Sequence, residues 1–267
     1  MSKETIESFI IELLLKGPLP STGIVRKTTL EKGVTKEAVY KALRQILEKE
    51  IIVKRGKIIS LSNQWIVDSV EKWRGAESRY IGKAPTHLLS EKSSVVYTCK
   101  TLDQLDALWN HNIIELSYTL EPKGYMLLYA PHYWFPIIRN TSEHNLLRTL
   151  KSRGYELLQL GGHTTPIDKN ITKYFPLKEL NYYPATVAEK KYVNIIGKYV
   201  IEVSLDKKTL KYINDWYEKH TILTEENQYE LSQVLKIKGV YKLKISKDPA
   251  KVALFTKLFS KYFVIKK

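Results

Sequence analysis

Cationic and hydroxyl-bearing side chains are concentrated in two short stretches near the start of the chain. The first stretch supplies Thr35, Lys36, Tyr40, Lys41 and Arg44, and the second supplies Lys54, Arg55 and Lys57. Ammonium and guanidinium groups form strong hydrogen bonds with phosphate oxygens, and hydroxyl groups bind the same oxygens. These eight residues are therefore candidates to contact a phosphate-rich partner.

A second group of functional candidates follows strand-like segments later in the chain. It consists of His132, Trp134, Arg139, His163, Thr164, Asp168 and Lys169. Ligands of open α/β sheets bind beyond the carboxyl ends of strands, so we expect these residues to face one ligand-binding rim. Arg139 and Lys169 suit an anionic small-molecule effector, and Trp134 offers a stacking surface. In the alternative interpretation, Trp134 belongs to the core and the histidines cap loops.

Catalytic and metal-binding motifs are not found. The sequence has no Walker A motif, no GxGxxG after a strand, no GxSxG and no HExxH. His163 and Lys169 are six residues apart, whereas a phospholipase D site needs a histidine and a lysine two apart. The single cysteine, Cys99, lies in an apolar strand pattern and excludes a multi-cysteine zinc site. We therefore predict that the chain is not an enzyme and uses no metal or cofactor.

Residues 1–62 are predicted to fold as three helices followed by a β-hairpin. Apolar residues recur at spacings of three and four over Ile6–Leu14, which predicts the first helix. The second helix begins at Ser21, with Ser21 or Thr22 as its cap. Gly33 then permits a tight turn into the third helix.

The third helix and the hairpin position the first group of candidates. Thr35 is the candidate N-cap of this helix. Its predicted buried stripe consists of Val39, Leu43, Ile46 and Leu47. The stripe leaves the cationic residues on or near the opposite face. Two β-rich runs then flank Gly56, which predicts a hairpin with a basic tip.

Three helices followed by a basic hairpin are the layout of a winged helix-turn-helix. The segment Val34–Leu43, continued by Leu47–Ile52, resembles the recognition helix and wing entry of MarR-, PadR- and TrmB-like transcriptional regulators. This resemblance implies a helix in the major groove of double-stranded DNA. It places Thr35, Lys36, Tyr40 and Lys41 at bases or adjacent phosphates, and Arg44 at the backbone. The wing residues Lys54, Arg55 and Lys57 would hold phosphates or enter the minor groove.

The rest of the chain divides into a connecting segment, 63–94, and a second domain, 95–267. Helical spacing of Trp65, Ile66, Val70 and Trp73 predicts a connecting helix over 63–81, followed by a linker. This helix is a candidate seam of a homodimer, and packing within the chain is the alternative. In residues 95–267, strands alternate with helices, which predicts an α/β effector or dimerisation domain with a mixed sheet. The predicted fold class is therefore an α+β winged helix-turn-helix followed by an α/β domain.

Positive charge is the dominant feature of the composition. The 267 residues carry a net charge of +15, and the sequence pI is about 9.5. Such a field attracts polyanions. Residues before Gly75 contribute only +5, whereas Val240–Lys267 contribute +7. Either the second domain also touches the DNA backbone, or much of the charge is generic.

The composition and the apolar pattern bound the class of protein. Apolar residues make up 43% and charged residues 27%, close to the averages of globular proteins, which argues against disorder and fibrous repeats. No apolar run approaches the ~20 residues that span a bilayer. The first residues lack the cleavage site of a signal peptide. We therefore expect a cytoplasmic protein without a membrane partner.

The sequence as a whole predicts a sequence-specific DNA-binding transcriptional regulator. Its C-terminal domain would sense a ligand or mediate dimerisation. A plasmid- or phage-type replication initiator is one alternative. An antitoxin-like or RNA-processing partner, whose basic face binds RNA or an acidic protein, is another.

Overall fold

The computed structural model describes residues 5–80, 94–120, 124–176, 178–187 and 189–265. The chain divides into two compact units, Met1–Arg79 (unit 1) and Tyr80–Lys267 (unit 2). The predicted linker 82–94 lies outside the described residues except for Ser94. Among the helices of the described ranges, none combines the length and the apolar character that a bilayer span requires.

Unit 1 has the layout of a winged helix-turn-helix, as predicted. Its elements are α1 (Ile6–Leu15), β1 (Leu19–Pro20), α2 (Ser21–Lys32), α3 (Lys36–Glu48), β2 (Ile52–Arg55), β3 (Ile58–Leu61) and α4 (Asn63–Tyr80). The three strands form an antiparallel sheet in the order β1-β3-β2. The short strand β1 was not predicted. The predicted cap of α2 was wrong, because α2 begins directly after Pro20 and no side chain caps it.

The core of unit 1 joins the three helices to the hairpin. Its buried members are Ile10, Leu14, Ile24, Val25, Val39, Ala42, Leu43, Ile46, Ile52, Ile59 and Leu61. Leu47 was predicted to be buried but is 42% exposed, and Ala42 is buried instead. Leu47 lies about 80° around the helix from Val39 at 100° per residue, which places it at the margin of the stripe.

Unit 2 is built on a seven-stranded mixed sheet. Its elements are β4 (Ser94–Thr101), α5 (Leu102–Thr119), β5 (Gly124–Ala130), α6 (Phe135–Ser152), β6 (Tyr155–Gly161), α7 (Pro166–Tyr174), β7 (Leu180–Pro184), β8 (Tyr192–Ile196), β9 (Tyr199–Ser204), α8 (Lys207–Lys219), α9 (Glu225–Ser232), β10 (Lys238–Lys247) and α10 (Pro249–Phe259). The strand order is β4-β10-β9-β8-β5-β6-β7. Strands β5, β6 and β7 are parallel, and the other pairs are antiparallel. The α/β mixed-sheet class is therefore confirmed.

The two faces of this sheet are covered differently. The first face carries residues such as Met126 and Leu243, which pack with apolar residues of α5 to α9. The second face carries residues such as Leu127 and Val200, which pack with Phe255 and Phe259 of α10. Cys99 is buried in the core of the first face, as its apolar strand pattern indicates.

Candidate functional site

Helix α3 is set against α2 by a three-residue turn. Gly33 ends α2 in the left-handed conformation, with φ of +63°, and its N–H donates to the Thr29 carbonyl at 3.1 Å. Thr35 caps α3 as predicted, because its Oγ1 accepts a hydrogen bond from the Ala38 N–H at 3.3 Å. Val39 and Ile46 are completely buried. The helix is therefore fixed in rotation, and its polar side is directed away from the core of unit 1.

The polar side of α3 carries all five predicted contact residues. Thr35, Lys36, Tyr40, Lys41 and Arg44 are exposed. Within the described part of the chain, the three cations among them have no acidic partner. Their positive charge is therefore uncompensated and available to an anionic partner.

The wing presents three further cations. Arg55 pairs with Ile58 across a two-residue loop, Gly56-Lys57. Gly56 has φ of +61°, and a positive φ at the first loop residue is what type I′ and II′ hairpins require. Lys54, Arg55 and Lys57 are exposed and have no ion pair within the described residues. The Lys57 carbonyl accepts a hydrogen bond from the Ser21 N–H at 2.9 Å, which ties the tip of the wing to the start of α2.

Backbone hydrogen bonds join α3 to the wing. The Ile51 N–H donates to the Ile46 carbonyl at 3.0 Å, and the Ser62 N–H donates to the Ile51 carbonyl at 2.9 Å. Glu50, between α3 and β2, has φ of +57°, a conformation that is uncommon for a residue other than glycine. No glycine or asparagine marks this turn in the sequence. Helix and wing belong to one packed unit, so their cations keep a fixed spacing.

In unit 2, three of the predicted rim residues meet at the carboxyl ends of β5 and β6. Nδ1 of His132 lies 3.1 Å from both carboxylate oxygens of Asp168. Thr165 caps α7 and donates its hydroxyl to the Asp168 carboxylate at 2.7 Å. The His132 ring stacks on His163 at 4.2 Å and on Tyr217 at 4.0 Å between ring centroids.

Burial separates the roles of the two histidines. His132 is 3% exposed and Asp168 is 1% exposed, so each satisfies the other inside the protein. His163 is exposed at the end of the stack. Partial burial, and after it the neighbouring His132, lowers the pKa of His163. His163 is therefore the histidine of this pair that can meet a ligand from solvent.

Two of the other four rim residues, Trp134 and Arg139, have different partners. Trp134 is 1% exposed, and its Nε1 donates to the Tyr192 hydroxyl at 2.6 Å, so it belongs to the core. Arg139 pairs with Asp103 and, at 3.2 Å, with Asp106, so its charge is already compensated. Thr164 is half-buried, and Lys169 is exposed.

The sequence did not reveal a mostly apolar cavity between α5, α6 and the first face of the sheet. Glu143 lines this cavity and accepts a hydrogen bond from the Tyr133 hydroxyl at 2.5 Å. Burial raises the pKa of Glu143 to about 7. Asn194 also lines it and accepts a hydrogen bond from Trp109 Nε1 at 2.6 Å. No local signal distinguishes Glu143 from the other polar residues of α6, because its burial depends on how α6 packs on the sheet.

Comparisons with known proteins include a distant structural likeness. No family model matches the chain, and no curated protein sequence matches it. Among solved structures, the chain is similar to TrmBL2, described as an archaeal chromatin protein that shows a novel mode of DNA binding. The match covers 97% of this chain and 92% of that chain, with 14% sequence identity and a TM-score of 0.35.

Proposed function

We propose that the chain is a cytoplasmic, sequence-specific regulator of transcription that binds double-stranded DNA through unit 1. In this proposal α3 enters the major groove, and the hairpin β2–β3 lies on the backbone or in the minor groove. The chain acts by binding rather than by catalysis. The observation that carries the proposal is the exposed cationic surface of α3 and the wing, whose six lysine and arginine side chains have no acidic partner among the described residues.

The side chains of this surface divide into two kinds of contact. Thr35, Lys36, Tyr40 and Lys41 lie at the N-terminal half of α3. This is the part of a recognition helix that reaches base edges, so these residues would set sequence preference. Arg44 lies further along the helix and would meet the backbone. The three wing cations would bind phosphates, which adds affinity without sequence preference.

Helix α4 supports a two-fold dimer. Ile66, Val70 and Trp73 are 40%, 42% and 69% exposed. Their spacing of four and three is that of a coiled-coil seam. Trp65, by contrast, packs against the core of unit 1. We propose that α4 pairs with α4 of a second chain, so that two recognition helices read two half-sites.

Unit 2 is proposed to sense a small molecule or to add to the dimer. His163 and Lys169 are exposed near the carboxyl end of β6 and would contact an anionic effector. Arg139 would not take part, because two aspartates hold its guanidinium. A screen of anionic metabolites should change the affinity for DNA, and constant affinity across the screen would exclude this role.

Selection of bound sequences from a random duplex library tests the main proposal. The wild-type protein should enrich one motif of paired half-sites. Tyr40→Ala and Lys41→Ala should change the enriched motif, because they remove contacts to base edges. The double variant Lys16→Ala, Lys27→Ala is a matched control, since both lysines line a groove that also contains Glu12 and Glu31. This control should keep the wild-type motif, and no enrichment by the wild-type protein would refute sequence-specific binding.

A further inference from the structure

The second face of the sheet in unit 2 carries a row of lysines beside α10. Along β10, Lys242 and Lys244 alternate with the buried residues Leu243 and Ile245. The register places Lys244 opposite Glu202 of β9 and Val96 of β4. Phe255 and Phe259 anchor α10 over the neighbouring strands, whereas Val96 is 56% exposed. The β4–β10 end of this face is therefore open to solvent in the described part of unit 2.

Three lysines surround one buried carboxylate on this face. Glu202 is 5% exposed and accepts hydrogen bonds from Lys251 Nζ at 2.5 Å and Lys191 Nζ at 3.3 Å. Lys244 Nζ lies 3.9 Å from its other oxygen. Burial alone would raise the pKa of Glu202, but the hydrogen bonds and charges of Lys251 and Lys191 outweigh it and lower the pKa. The carboxylate stays ionised and compensates only one of the three ammonium groups.

Two more lysines enlarge the uncompensated charge. Lys242 and Lys100 are exposed on β10 and β4, and neither has an ion pair within the described residues. Glu202 is the one acidic residue that β4, β9 and β10 contain. The cluster of five lysines and one carboxylate therefore concentrates positive potential on an exposed surface of the sheet.

We propose that this surface, formed by Lys100, Lys191, Lys242 and Lys244, binds the phosphate backbone of double-stranded DNA. Lysines two residues apart on one strand are separated by about 7 Å, since each residue advances about 3.4 Å. Such a spacing suits successive phosphates better than a single small anion, which needs convergent donors. Lys251 is a positioning residue, because its side chain is only 20% exposed and holds Glu202 in place. This contact would be separate from the one proposed for unit 1.

The salt dependence of duplex binding tests the proposal. The test variant of the full chain is Lys100→Gln, Lys242→Gln, which removes two cations that have no acidic partner among the described residues. The control is Lys207→Gln, Lys208→Gln, an equal change at exposed lysines of α8, a helix that packs on the first face. Binding of a fluorescein-labelled duplex of random sequence is followed by anisotropy between about 50 and 200 mM salt.

The two variants have different expected results. In the test variant, the slope of log K against log salt should become shallower by about 2, because each lost phosphate contact contributes about 0.9. The affinity ratio between the two salt limits then shrinks roughly tenfold. The control should keep the wild-type slope. The proposal is overturned if the test variant keeps the wild-type slope. It is also overturned if the test variant loses affinity for polyglutamate, an acidic polymer tested as a second ligand, but keeps its affinity for DNA.

The same assay separates this proposal from the one for unit 1. The wing variant Arg55→Ala, Lys57→Ala is combined with the test variant. If only the wing changes alter the slope, the sheet surface is refuted and unit 1 remains the DNA-binding part. If only the sheet changes alter it, the proposed role of unit 1 is refuted instead. If the wing and sheet substitutions change the slope additively, both proposed DNA contacts are supported.

Discussion

Replacing Glu143 with glutamine should remove most of the acid-range pH dependence of stability in unit 2. The Glu143 carboxyl accepts a hydrogen bond from Tyr133 and lines the mostly apolar cavity of unit 2. Burial, and to a smaller extent the charge of Asp106, raises its pKa from 4.5 to about 7. A glutamine keeps the shape and can still accept the hydrogen bond from Tyr133, but it cannot ionise.

The sign and size of the effect follow from this pKa. Because the pKa of Glu143 is higher in the folded state, the folded state binds more protons between about pH 4.5 and 7. The free energy of unfolding therefore falls as the pH rises through this window and is constant above it. A difference of about 2.5 pKa units corresponds to about 3 kcal/mol. Glu143 keeps some solvent exposure, so this figure is an upper limit.

Urea unfolding at several pH values between about 5 and 8 measures this dependence. Trp109 lines the same cavity, and Trp134 and Trp216 also belong to unit 2, so the change in tryptophan fluorescence includes the unfolding of unit 2. Glu143→Gln should be more stable than wild type above about pH 7 and should show a flatter profile below it. Glu156→Gln, at an exposed position of β6, is the control and should follow the wild-type profile. Parallel profiles for wild type and Glu143→Gln would refute the assignment of the raised pKa.

Three further predictions concern packing, capping and assembly. Gly162→Ala should destabilise unit 2 by about 1–3 kcal/mol in urea unfolding, because the new methyl group would clash with the Tyr129 hydroxyl; Gly75→Ala, where the added methyl carbon would meet no atom within 4 Å beyond its own turn of α4, should cost nothing. Thr35→Ala should lower the stability of unit 1 by about 1 kcal/mol through loss of the α3 cap, and unchanged thermal unfolding would contradict the cap's contribution. If α4 forms the proposed dimer, Trp73→Glu should convert that dimer to a monomer in sedimentation velocity, whereas a dimer that survives the change would exclude α4 as the seam.

Unit 1 could be predicted from the sequence because local signals agree there. The spacing of apolar residues along α3, the Thr35 cap and Gly56 in the hairpin each specify structure over a few residues. The predictions for unit 1 were incomplete where contacts with other elements determine the burial of a side chain or the conformation of a turn. Leu47 is apolar but lies at the margin of the buried stripe and is exposed. Glu50 adopts a left-handed conformation at a position where the sequence has no glycine to indicate a turn.

Unit 2 was harder to predict because tertiary contacts determine which of its polar residues are buried, paired or exposed. The sequence suggested that His132, His163 and Asp168 come together, and the structure does place them in contact. It could not show that Arg139 is held by aspartates of α5. In β8, Asn194 interrupts an apolar run, and the hydrogen bond from Trp109 explains why a buried amide is tolerated there.

The salt dependence of DNA binding by the wing variant tests the central claim most directly. In Arg55→Ala, Lys57→Ala, two exposed cations of the wing are removed while the hairpin backbone and Gly56 are kept. The slope of log K against log salt should become shallower by about 2 for every duplex tested. Lys16→Ala, Lys27→Ala should keep the wild-type slope. A wing variant that binds DNA with the affinity and salt slope of the wild-type protein would contradict the account.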